Sequence, residues 1–103
     1  MGFSPGTEFS DVVNTAYVQA TVTVGTSAVV AKVGAVNLDG RQEILIYSKE
    51  TNDVIYFGPT GVTTETGIPL QPGETANFPF GDAINLYLIS ASAGNSVIVQ
   101  ELS

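Results

Sequence analysis

From Ala16 onward the chain alternates: Val18, Ala20, Val22 and Val24 are separated by Gln19, Thr21 and Thr23. Successive side chains of a strand point to opposite faces, so this pattern predicts a strand with one buried and one wet face. Gly25-Thr26-Ser27 interrupts it, and the β-branched run over 28–33 predicts a second strand. Asn37-Leu38-Asp39-Gly40 carries the Asp-Gly pair that supplies positive φ for a tight turn, leading into a third strand over 43–48. A break at 49–53 has Asn-Asp at its tip, and 54–57 resumes the β-rich character, so a hairpin between these two strands is expected.

The stretch 58–73, GPTGVTTETGIPLQPG, holds four glycines and three prolines and reads as an irregular loop tethered to the core by Ile68 and Leu70. Residues 74–80 follow as an extended edge strand, because Pro79 cannot donate to a central ladder. Two more strands, 84–90 and 96–102, are joined by the small-residue loop Ala91-Ser92-Ala93-Gly94-Asn95. No segment has a helical period. The fold class is therefore all-β, an antiparallel β-sandwich or jelly roll of about seven or eight strands. Its expected core is Val18, Ala20, Val22, Val24, Ile44, Ile46, Ile55, Leu86, Leu88, Val97 and Val99.

Before Thr15 the pattern is different. Residues 1–14 mix Gly2, Pro5 and Gly6 with isolated Phe3 and Phe9 and have no period, which predicts an extended N-terminal arm ahead of a single domain over 15–103. Aromatic residues are uncommon in segments that never order, so Phe3 and Phe9 are candidate anchors on a neighbouring subunit.

With 103 residues the chain can bury one core. Only 13% of residues are charged, about half the usual share, so Thr, Ser, Asn and Gly must cover much of the surface. Three cations face ten carboxylates for a net charge of −7, which repels phosphate backbones and argues against a nucleic-acid partner. No apolar run approaches the ~18 residues of a membrane span, and no basic-led apolar leader opens the chain, so a soluble, unsecreted protein without membrane partners is expected.

The candidate chemistry is sparse. Zero His and zero Cys remove the usual general base, nucleophilic thiolate and soft metal ligands. Asp39, Glu43, Glu50, Asp53, Glu65, Glu74 and Asp82 nearly all fall at turns or strand ends, where they are solvated. Asn37-Leu38-Asp39-Gly40 lacks the further ligands of a calcium loop, and the glycines of 58–67 lack the Lys-Ser/Thr ending of a phosphate loop. No enzyme, metal or cofactor is expected. Tyr47, Tyr56, Phe57 and Tyr87 sit in the most apolar strands, so core packing with the hydroxyl at the rim is expected of them. Tyr17, on the polar face of its strand, is the aromatic best placed for a partner.

Ile44-Leu45-Ile46-Tyr47, Tyr56-Phe57-Gly58, the loop Gly61-Val62-Thr63-Thr64-Glu65-Thr66-Gly67-Ile68-Pro69-Leu70-Gln71-Pro72-Gly73-Glu74, Leu86-Tyr87-Leu88-Ile89 and Val97-Ile98-Val99-Gln100-Glu101-Leu102 occur in that order over 42–102. This succession resembles a module of structural proteins of tailed bacteriophages. The resemblance implies a virion component: a capsid decoration protein on the outer head surface, made in the host cytoplasm, that stabilises capsomer contacts. Its implied partners are the major capsid protein or another virion protein, and other copies of itself. A homotrimer is expected, matching the local threefold positions of a shell. The alternative is a receptor- or glycan-binding module of a tail or head fibre. On either reading the candidate contact residues are Phe3, Phe9, Tyr17, Val62, Thr63 and Thr64. The loop glycines Gly67 and Gly73 are expected to be structural.

Overall fold

The computed structural model describes residues 15–103, and the expected arm over 1–14, with Phe3 and Phe9, lies outside the described residues. The described chain is all-β. Its strands are β1 Tyr17–Val24, β2 Val29–Val30, β3 Glu43–Ser48, β4 Ile55–Gly58, β5 Ile68–Leu70, β6 Thr75–Phe78, β7 Tyr87–Ser90 and β8 Asn95–Leu102. They form two four-stranded antiparallel sheets, sheet A in the order β1-β8-β3-β6 and sheet B in the order β2-β7-β4-β5. Consecutive strands alternate between the sheets at every step but one, β4 to β5, which pair as neighbours in sheet B. This is the jelly-roll wrapping of an antiparallel sandwich.

The alternation read from the sequence sets which side chains turn inward. In β8, Asn95, Val97, Val99 and Glu101 are buried while the residues between them are half-exposed, and β3 buries Ile44, Ile46 and Ser48 in the same way. These meet Ile55 and Leu88 of sheet B, with Val24, Ala31, Leu70 and Leu86 completing the core. Each fully buried Ile, Leu or Val contributes ~1.5–3 kcal/mol, so this layer supplies most of the drive to fold. Val18, Ala20 and Val22 face inward but remain partly exposed, because β2 is too short to cover the whole length of β1.

Four expectations are corrected. First, β3 and β4 do not form a hairpin: β3 pairs with β8 and β6, whereas β4 pairs with β5 and β7. The 49–53 turn instead carries the chain between sheets, held by buried Asn52, which donates to Ser48 Oγ at 3.0 Å and to the Ser96 carbonyl at 2.6 Å. Second, the strand expected over 28–33 is cut to Val29 and Val30, with one further bond from the Ala31 amide to the Leu86 carbonyl at 2.8 Å, and by Val33 the amide donates to the Glu101 carboxylate at 2.9 Å instead of to the ladder. Third, Ile68–Leu70 is more than a tether: it pairs with β4 as an edge strand, where Pro69 is tolerated. Fourth, the tyrosines do not pack in the core. Ile46 and Ser48 take the inward positions around Tyr47, and Leu88 takes the one beside Tyr87, so these rings lie half-exposed on the outer faces.

Turn chemistry follows the sequence. Gly40, Gly73 and Gly94 adopt φ of 69°, 84° and 86°. β6, ahead of Pro79, is an edge strand of sheet A.

Candidate interaction surfaces

The one charged pair inside the described sandwich organises the end at which the described chain begins. Glu101 continues the inward parity of Val97 and Val99, and its carboxylate accepts from Arg41 Nη1 at 2.6 Å, from the Val33 amide at 2.9 Å and from the Leu38 amide at 3.1 Å. Arg41 donates from Nε to the Phe80 carbonyl at 3.0 Å and from Nη2 to the carbonyls of Gly81 and Ile84 at 3.0 and 2.6 Å. Both side chains are almost wholly buried. Such a pair is tolerated inside because every polar atom has a partner. It pins two long connections, 31–42 and 79–86, against the sandwich. The expected list of turn carboxylates does not contain Glu101, although its parity in β8 was the available signal.

Pinning 79–86 shapes an apolar groove of about 300 Å³ at the edge where β5 and β6 lie. Phe57, Phe78 and Phe80 form its floor: Phe57 meets Phe78 edge-to-face at 5.2 Å between centroids, and Phe78 stacks on Phe80 at 5.0 Å. Leu86 closes the inner end, while Ile68 and Ile84 stand at the rim, 59% and 49% exposed. No charged side chain lines the groove.

The opposite edge of sheet A is β1. Its outer backbone edge has no partner among the described residues, and its sequence YVQATVTV contains no charge and no proline. Natural edge strands are commonly guarded by such residues, or by a bulge. The register puts Gln19, Gln100, Leu45 and Asn77 in one outward row and Thr21, Ile98, Tyr47 and Thr75 in the next. Tyr17, Leu102 and Glu43 make the row beyond, and Glu43 is the single charge among the strand residues of this face. Gln100 ties the rows together, donating to Tyr17 Oη at 3.0 Å and to Gln19 Oε1 at 3.3 Å.

The sequence-predicted contact residues separate accordingly. Tyr17 is 62% exposed on this outer face, with its hydroxyl donating to Gln19 Oε1 at 2.8 Å. Val62 is buried, with its side chain against Gly58 and Gly67. Thr63 is exposed, but its hydroxyl accepts from the amides of Glu65 and Thr66 and so braces the turn. Thr64 is half-exposed beside it. Tyr17 and the 62–64 loop therefore do not converge on one surface: the first belongs to sheet A and the second to the connection between β4 and β5 of sheet B. The groove and the β1 edge were not read from the sequence.

No family model matches this chain, and the search of curated proteins yields no match. Among solved structures, the chain is similar to a Bacillus endospore appendage from a family of disulfide-linked pili, with a TM-score of 0.51, 18% identity and 96% of each chain covered. That similarity is one of fold. It overturns the expected phage function, capsid decoration with its fibre alternative, since the neighbour it gives the fold is a bacterial pilus protein and not a capsid protein.

Proposed function

We propose that this protein is a non-catalytic structural subunit that associates with copies of itself through non-covalent contacts. The observation that carries the reading is β1: an eight-residue edge strand with neither charge nor proline, continuous with an outer face whose strand residues carry one charge, Glu43. An unguarded edge of this kind is a template for main-chain pairing with another strand. The charge-poor face beside it lowers the desolvation cost of bringing two copies together. The Bacillus appendage supports the reading as an instance of the same fold used in a pilus. Its disulfide linkage has no counterpart here, because the chain has no cysteine, and the contacts between copies must then come from strands and side chains.

Sedimentation velocity of the purified chain across a wide concentration range, with negative-stain imaging of the largest species, tests this. Multi-copy species that grow with concentration are expected. A monomer at the highest soluble concentration would overturn the proposal.

A further inference from the structure

We infer that the apolar groove between β5 and β6 is the receptor for the 1–14 segment of a second copy, with Phe3 or Phe9 as the side chain that fills it. This rests on the self-association proposed above and adds to the β1 edge a second contact between copies.

The groove itself limits the occupant. At about 300 Å³ it is at the small end of ligand cavities, ~300–1,000 Å³. Small-molecule sites carry a few convergent polar groups that orient the ligand. Here the floor is three phenylalanines and the rim two exposed isoleucines, Ile68 and Ile84, and the one polar side chain of the lining, Asn85, already accepts from Asn37 Nδ2 at 2.8 Å. Such a lining suits an apolar side chain presented on a peptide, and an aromatic ring adds edge-to-face contacts to a floor already built of rings. A segment of the chain itself meets that description. Phe3 and Phe9 are the large aromatics of 1–14, and Gly2, Pro5 and Gly6 leave them isolated from any local hydrophobic cluster.

Direction favours a second copy over the same one. The Thr15 amide donates to the Ser103 carbonyl, and the Ser103 amide to that of Ala16 at 3.0 Å, so the described chain begins running along the axis of β1 at the end of the sheet. The starting point is therefore on the β1 edge, and the groove is on the opposite one, flanked by β5 and β6. Donor and receptor on opposite edges of one body make a head-to-tail contact, which propagates from copy to copy. Length does not decide the matter: fourteen extended residues span ~46 Å, against ~14 Å across four strands. An experiment must separate the two.

The chain has no tryptophan, so Phe9→Trp in the full-length protein is a unique fluorescent reporter, with Phe3→Trp as the second. The expected result is a blue-shifted emission from at least one reporter that grows with protein concentration and is lost on adding Ile68→Lys or, independently, Ile84→Lys. Both isoleucines are exposed enough to be replaced without unfolding, which circular dichroism checks. A blue shift independent of concentration would place the segment in its own groove and overturn the inference. Solvent-like emission from both reporters in samples that sediment as multimers would overturn it while leaving self-association standing. A monomer at every concentration would remove both.

Discussion

Arg41 and Glu101 meet at 2.6 Å inside the sandwich, and between them they hold two backbone amides and three backbone carbonyls from connections far apart in sequence. An ordinary buried ion pair can be replaced by apolar residues at little cost, because the mutual attraction barely repays desolvation. This pair differs in that its removal strands backbone groups of Val33, Leu38, Phe80, Gly81 and Ile84.

Glu101→Ala is therefore expected to destabilise by about 3–5 kcal/mol, the usual cost of leaving a buried charge unpaired. The double variant Arg41→Met/Glu101→Leu is expected to recover little, since each buried backbone group without a partner costs ~1–3 kcal/mol. Urea unfolding of the three proteins measures this. Near-native stability of the double variant would reduce the network to a simple ion pair.

Gly67 lies where a Cβ would sit 2.7 Å from Tyr56 Cβ, 2.9 Å from Val62 Cγ2 and 3.0 Å from the Thr63 carbonyl oxygen. Gly67→Ala is expected to cost ~1–3 kcal/mol through overpacking. Gly61, with φ of 84° and open space around it, should pay only the ~1–2 kcal/mol of a left-handed residue. The prediction to check by thermal melting is that crowding, unlike strain, is relieved by a smaller neighbour: Val62→Ala should recover part of the Gly67→Ala loss and none of the Gly61→Ala loss.

Asn52 supports the crossing from β3 to β4, receiving the Ser96 amide at 2.9 Å while donating to Ser48 and to the Ser96 carbonyl. Asn52→Ala should cost about 1–3 kcal/mol by leaving these groups unpaired. Hydrogen exchange is the sharper measurement. The Ser96 amide should lose protection, while that of Val33, at the other end of the sandwich, keeps its own.

Thr21→Lys/Thr23→Lys tests the β1 edge. Both positions are exposed, so stability should change by no more than ~0.5 kcal/mol per site. The substitutions lower the net charge of −7 in magnitude, and bulk repulsion alone would then predict stronger association. If the edge carries the contact, sedimentation should instead show weaker association, because charges on an edge strand oppose pairing. Stronger association in the variant would exclude the edge as the contact.

Much of the fold was legible along the chain because its signals are local. Alternation over 17–24, 43–48 and 96–102 placed three strands nearly to the residue, Asp39-Gly40 marked a turn, and Pro79 marked an edge. The same parity assigned Ile44, Ile46, Val97 and Val99 to the core. What alternation does not contain is partnership. A strand offers the same row of amides and carbonyls to any neighbour, so the pairing of β3 with β8, which sets Ser48 opposite Val97 and Glu43 opposite Leu102, rests on contacts distant in sequence. The truncation of β2 and the late start of β7 have the same origin, since Glu101 and Arg41 draw their backbone groups out of the ladders.

The sequence by itself determined the strands β1, β3 and β8 with the inward positions of their aliphatic residues, the low share of charge and the absence of cysteine cross-links. Only the tertiary structure decided which strands share a sheet, that Tyr47 faces outward from sheet A beside half-exposed Leu45 and Ile98 while Tyr87 faces outward from sheet B, and that Phe57, Phe78 and Phe80 gather into one groove. The reason is physical: side-chain parity is set by the two-residue period of an extended backbone, whereas a groove or an edge exists only once segments far apart along the chain have chosen each other.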